Sequence, residues 1–108
     1  LPDLDYGRKE SIFVPFFGVP AATITGLPRL ARLAGAAVMP CVVRILPGGT
    51  GYVLTLAEPW QDYPSDDVEA DTRRMNVWLE GVVRTMPEQY YWVHRRFKTR
   101  PEGEPRIC

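Results

Sequence analysis

Residues 3–26 read DLDYGRKESIFVPFFGVPAATITG, and the rest of the chain is organised around this stretch. A charged opening (Asp3, Asp5, Arg8, Lys9, Glu10) runs directly into Ile12-Phe13-Val14-Pro15-Phe16-Phe17-Gly18 and closes on Ala21-Ala22-Thr23-Ile24-Thr25-Gly26. Carboxylates and a guanidinium therefore sit beside a large apolar surface, a combination suited to a ligand with a polar head and a greasy part. The β-branched and aromatic content of Ile12 to Phe17 predicts a short strand or extended segment interrupted by Pro15, followed by a turn at Gly18 to Pro20.

Working outward, Thr25 reads as the N-cap of a helix over 26–34, with Pro28 tolerated in its first turn and Gly35 as its stop. Leu27, Leu30, Ala31 and Ala34 share one face of that helix, with Arg29 and Arg32 turned away. Ala36 to Leu46 is a nearly continuous apolar run, the pattern of a strand covered on both faces in an α/β sheet, although Pro40 suggests an edge or a bulge. Pro47-Gly48-Gly49-Thr50-Gly51 is a turn, and Tyr52 to Leu56 alternates as the returning strand of a hairpin. A loop with Pro59 and Pro64 precedes a helix from about Asp66, whose acidic first turn suits the positive end of its dipole. Val68, Thr72, Met75, Leu79, Val82 and Met86 form its stripe, and Pro87 stops or kinks it. Glu88 to Phe97 reads as a short final helix before a Pro- and Gly-containing tail.

The 108 residues bound one domain at most, and a hydrophobic content of 45% is that of a globular chain. Thirteen basic side chains balance thirteen acidic ones, a poor footprint for nucleic acid. Cys41 and Cys108 make neither a disulfide framework nor a metal-type pair. Cys41 is expected as a small buried residue and Cys108 as part of a mobile end. In the uncharged stretch from Ser11 to Pro28, Pro15, Pro20 and Pro28 with Gly18 and Gly26 argue against a spanning helix. Neither a transmembrane segment nor a signal peptide is expected. The opening Leu1-Pro2-Asp3, without an initiator Met, reads as the start of a fragment.

Asp3 and Asp5 flank one residue before Gly7 and Arg8. They could orient a hydroxyl, and Arg8 could meet a phosphate, but Asp-x-Asp-x-Gly is also an ordinary turn. Thr23 and Thr25 could donate to a ligand oxygen or serve as cap and turn residues. Near the C-terminus, Tyr91 and Trp92 beside His94, Arg95, Arg96, Lys98 and Arg100 suit either an anionic head group at a membrane interface or a snorkelling surface segment. His94 is the only histidine, and its cationic neighbours fit a surface or structural role better than a general base. Nucleophile elbow, phosphate loop, metal-ligand spacing and nucleotide fingerprint are all missing.

Three blocks, DLDYGRKESIFVPFFGVPAATITG, LARLAGAAVMPCVVR and MPEQYYWVHRRFKTRPEGEP, resemble in order and spacing the C-terminal half of the late acyltransferases of lipid A biosynthesis. These are the lauroyl/myristoyl transferases of the lysophospholipid acyltransferase superfamily. The resemblance implies an α/β fold, here a partial acyltransferase-type mixed sheet with flanking helices, on the cytoplasmic face of the bacterial inner membrane. It implies transfer of a fatty acyl chain from acyl carrier protein to a hydroxyl of a phosphorylated glucosamine disaccharide lipid, with no cofactor and no metal.

In that family a His-x-x-x-x-Asp/Glu motif deprotonates the acceptor hydroxyl. Here the fifth residue after His94 is Thr99, so no catalytic residue is expected in this chain. The motif and the membrane anchor are expected upstream, and residues 1–108 are expected to be inactive alone. Pro2 to Arg8 takes the place of the superfamily's acceptor block. Asp3, Asp5 and Arg8 are thereby implied on the acceptor side, with Thr23 and Thr25 closing the cleft. His94, Arg95, Arg96, Lys98 and Arg100 match the closing block, and their charge suggests contact with lipid phosphates or an anionic membrane. A glycerophospholipid acyltransferase and a non-enzymatic lipid-binding module are the alternatives.

Overall fold

Residues 11–24 fold as a two-stranded antiparallel hairpin, β1 (Ser11–Phe16) and β2 (Val19–Ile24). The computed structural model describes residues 1–107, and Cys108 lies outside them. The hairpin loop is Phe17-Gly18 alone, with φ of 51° and 75°, the double left-handed pair of a type I′ turn, whose twist matches the flanking strands. Val19 and Pro20 therefore belong to β2 rather than to the expected turn, and Thr23 sits in a strand that the sequence reading did not anticipate. Phe17 is held in its strained conformation because its N–H donates to Glu80 Oε1 at 2.6 Å. Arg84 also lies over its ring, 4.9 Å from the centroid.

Pro15 and Pro20 face each other across the hairpin. Neither has an N–H to give, so this pair contributes no ladder bond. Their carbonyls are taken instead by side chains from elsewhere, Pro15 O accepting from Asn76 Nδ2 at 3.2 Å and Pro20 O from Arg100 Nη1 at 2.7 Å.

The helix α1 (Gly26–Ala34) has the predicted bounds, and Gly35 ends it at φ 60°. Thr25 occupies the N-cap position without a side-chain cap bond; its hydroxyl donates to Glu10 O at 3.4 Å. Ala31 is buried, whereas Leu30 and Ala34 are exposed, so the predicted apolar face is only partly used. A second hairpin follows, β3 (Cys41–Ile45) and β4 (Tyr52–Leu56), closed by a 3₁₀ turn at Pro47–Gly49. Pro40 lies just before β3, where its carbonyl accepts from Ala57 N at 2.9 Å.

Burial of the second hairpin departs from expectation. Its register places Cys41, Val43 and Ile45 opposite Leu56, Leu54 and Tyr52, so these six residues share one face. All six are exposed, Leu54 at 59% and Tyr52 at 71%. The apolar pattern calls for cover on both faces, and no element among the described residues supplies it on this one. The expected mixed sheet is likewise represented, among the described residues, by two separate antiparallel hairpins.

The longest element, α2 (Val68–Thr85), starts two residues later than predicted. Asp67 caps it, accepting from Ala70 N at 3.0 Å. It packs on β1, and α1 packs on it. Phe16, Ala21 and Val83 form the buried core between hairpin and helix, with Phe17, Leu79, Tyr90 and Phe97 around them. The buried face of α2 includes Thr72 and Met75 of the predicted stripe, and with Val83 it carries two polar residues that the stripe does not reveal, Asp71 and Asn76. The expected final helix is instead two 3₁₀ turns, Pro87–Gln89 and Trp92–His94. Arg95 at φ 56° breaks the helical path and lets Arg96 turn inward.

Candidate functional site

The N-terminal loop and the C-terminal segment meet over the first hairpin. Asp5, 5% exposed, accepts from Thr99 N and from Thr99 Oγ1, both at 2.8 Å, and from Gly7 N at 2.9 Å. Arg8 Nη2 donates to Arg100 O at 2.6 Å, and its guanidinium lies 5.7 Å from the Phe13 ring centroid. Loop and tail are thus tied by charge-assisted bonds in both directions.

Two arginines of the basic tail then cover the outer edge of β2. Pro20 and Ala22 are two residues apart, so their carbonyls point to the same side. Arg100 Nη1 meets the first at 2.7 Å and Arg96 Nη1 the second at 2.8 Å. Arg96 Nη2 reaches Thr23 Oγ1 at 2.8 Å and Asn76 Oδ1 at 3.5 Å. Its guanidinium carbon lies 5.5 Å from the Phe16 ring centroid. Arg96 is 2% exposed and has no carboxylate partner among the described residues. Burial lowers its pKa, while nearby Tyr90, Asp3 and Asp5 act the other way; an arginine stays charged regardless. The second guanidinium is also paired with Glu104.

These contacts divide the residues singled out from the sequence. Asp5, Thr23, Thr25, Arg96 and Arg100 are buried and engaged within the protein. Arg96 and Arg100 thus spend their Nη groups on partners inside the protein, while the Nε of each is buried without a partner among the described residues. Arg8, Arg95 and Lys98 remain exposed, and Asp3 and His94 are half-buried.

Asp3 and His94 converge with Tyr90, a residue the sequence reading does not single out. The Tyr90 hydroxyl donates to Asp3 Oδ2 at 3.2 Å and lies 3.3 Å from His94 Nε2, while His94 Nδ1 contacts the Tyr91 carbonyl. These three residues line one part of a cleft of about 320 Å³ between the N-terminal loop, β3 and α2. Val42, Leu79, Val82 and Met86 form its apolar wall. Gln89, also in the cleft, pairs with the edge of β3 through both amide atoms, accepting from Ile45 N at 3.1 Å and donating to Ile45 O at 3.2 Å. The cleft thus offers apolar surface beside a carboxylate, a phenol and an imidazole. Tyr90 was legible only by its neighbourhood, next to the aromatic and cationic run at 91–96. Among the described residues no group of three or more potential ligands is placed to hold a metal ion, and no helix is long and apolar enough to cross a membrane.

Residues 1–99 match the family described as bacterial lipid A biosynthesis acyltransferase. The chain is 50% identical to a lipid A biosynthesis lauroyltransferase of Escherichia coli over 105 residues, 96% of this chain and 34% of that protein. It is 45% identical to a palmitoleoyltransferase of the same bacterium over 104 residues, 95% of this chain and 34% of the relative. Identity to its lipid A biosynthesis myristoyltransferase is 39% over 109 residues, 96% and 32% of the two. The chain therefore spans about a third of the length of the curated relatives it matches.

Proposed function

The chain belongs to the bacterial lipid A biosynthesis acyltransferase family, and from that membership we propose that the complete protein transfers a fatty acyl chain to a hydroxyl of a lipid A precursor. The donor in this reading is acyl carrier protein, and the acceptor is a phosphorylated glucosamine disaccharide lipid. The general base, a His with its carboxylate partner, lies in the two thirds of the protein that this chain does not span. That base takes the acceptor proton as the oxygen attacks the thioester carbonyl, and collapse of the tetrahedral intermediate expels the carrier thiol.

The cleft at Asp3, Tyr90 and His94 is the observation that supports a contribution from this chain. Its apolar wall suits a lipid chain, and Asp3 can accept a hydrogen bond from a hydroxyl on the acceptor side. In this reading Arg8, on the loop that Asp5 holds, also serves the acceptor side. The exposed Arg95 and Lys98, beside exposed Tyr91 and Trp92, are the residues of the tail suited to lipid phosphates or an anionic inner-membrane surface on the cytoplasmic side. In the complete fold the β3–β4 hairpin joins a larger mixed sheet, and a further element of that fold packs on its apolar face.

The test is acyl transfer from acyl carrier protein to a tetraacylated disaccharide acceptor, comparing the complete gene product with residues 1–108 in detergent. Transfer by the complete protein alone is the expected result. Transfer to lysophosphatidate instead would move the reading to a glycerophospholipid acyltransferase. Lipid binding without transfer to either acceptor would leave a binding module.

A further inference from the structure

The Tyr90 hydroxyl stands between Asp3 and His94, and its one hydrogen goes to the carboxylate. Its Oη lies 3.2 Å from Asp3 Oδ2 and 3.3 Å from His94 Nε2. The Tyr91 carbonyl against His94 Nδ1 can only accept, which places a hydrogen on that nitrogen. The Tyr90 ring is fixed on three sides: Phe16 at 5.9 Å between centroids, Trp92 at 4.8 Å and His94 at 5.3 Å. Burial, then the neighbouring Asp3, pushes the phenol pKa above its ordinary value, so the hydroxyl keeps its proton at neutral pH. Among the described residues, Asp3 has no other side-chain hydrogen bond and no salt bridge. A rigid donor is therefore the one fixed contact of a carboxylate that lines the cleft and otherwise belongs to a loop.

We infer that Tyr90 is a positioning residue for Asp3, holding Oδ2 through its hydroxyl so that Oδ1 is presented to the hydroxyl group of the lipid acceptor. This rests on the reading of the cleft as the acceptor side of an acyltransferase. Tyr90 acts through Asp3 and transfers no proton to the reacting atoms. Its value is entropic: a carboxylate already oriented loses less freedom when the acceptor binds.

The experiment is a double-mutant cycle in the complete protein, using the acyl transfer assay with Tyr90→Phe, Asp3→Asn and the pair. Tyr90→Phe removes one oxygen and keeps the ring packing. It is expected to lower kcat/KM about tenfold with an unchanged denaturation midpoint, the scale of one lost hydrogen bond. The pair is expected to be no slower than Asp3→Asn alone, because the carboxylate that the hydroxyl positions has then been replaced by an amide. Full activity in Tyr90→Phe, or losses that multiply in the pair, would overturn the positioning role while leaving the reaction standing. Loss of fold in Tyr90→Phe would make the hydroxyl structural and overturn it too. A wild-type protein that transfers nothing to the disaccharide acceptor would bring down the reading of the reaction, and the inference with it.

Discussion

Asp5 accepts two hydrogen bonds from Thr99, one from its N–H and one from its hydroxyl, both at 2.8 Å and across 94 positions of sequence. With Gly7 N as a third donor, a single buried carboxylate closes the N-terminal loop onto the C-terminal segment. Asp5→Ala orphans those donors in a buried site, and the expected cost is about 3 kcal/mol of stability. Urea unfolding of the complete protein measures it. A change below about 0.5 kcal/mol, the level of an ordinary surface substitution, would mean that Asp5 is free for a ligand instead.

Arg96 and its sequence neighbours should separate in the same assay. Arg96→Lys keeps a charge but loses the fork that serves Ala22 O and Thr23 Oγ1 together, and it leaves an ammonium buried without a carboxylate. A destabilisation of about 3 kcal/mol is expected. Arg95→Glu with Lys98→Glu changes exposed side chains and should leave the unfolding midpoint nearly fixed. In vesicles rich in anionic lipid, the same pair should weaken association of the complete protein. A fall in stability as large as that of Arg96→Lys would contradict their placement at the surface.

Tyr63 is buried, and its hydroxyl has no hydrogen-bond partner among the described residues. It sits in a cluster with Trp60 at 4.9 Å and Arg74 at 5.7 Å. Burial, then Asp71, raises its pKa to about 12, with Arg74 opposing. A phenol whose folded pKa exceeds the unfolded value near 10 holds its proton longer in the native state. Its contribution is complete below about pH 10 and declines as pH rises towards 12. Tyr63→Phe removes an unsatisfied hydroxyl and this titration together. Expected are equal or slightly greater stability at pH 7 and a shallower loss between pH 10 and 12, read from denaturant midpoints at each pH. A clear loss at pH 7 would indicate a water or partner bound to the hydroxyl.

Local signals in the sequence carried α1 to its last residue, because Pro28 and Gly35 each favour one backbone state, although Thr25 holds the N-cap position without a side-chain bond. The β3–β4 hairpin was legible for the same reason, its glycines marking the turn. What escaped was long-range. β2 was missed because Pro20 argues against a strand, and only the guanidinium of Arg100 makes its lone carbonyl tolerable. The inward turn of Arg96 and the polar buried face of α2 are likewise one network through Asn76 and Thr23, and periodicity has no way to report a hydrogen bond across 73 positions. The candidate site was half legible: Asp3 and His94 were picked out, but their meeting through Tyr90 is a matter of tertiary folding.

The uncovered face of the second hairpin makes the sharpest test of how this chain sits in the complete protein. Cys41, Val43 and Ile45 with Tyr52, Leu54 and Leu56 give a continuous apolar strip, the kind of surface that draws other chains when left in water. Cys41 reports on it directly, since its thiol is free and exposed. With Cys108→Ser, Cys41 is the sole cysteine of residues 1–108, and a maleimide should label it readily. The same chain should self-associate, and Val43→Lys with Leu54→Lys should raise its monomer fraction, as seen by light scattering. In the complete protein the thiol should be protected by at least tenfold, because an element packed on this face in the proposed fold buries it. Equal labelling in both would show the face open in the whole molecule, and the hairpin would then be a surface for another partner rather than part of the acyltransferase core.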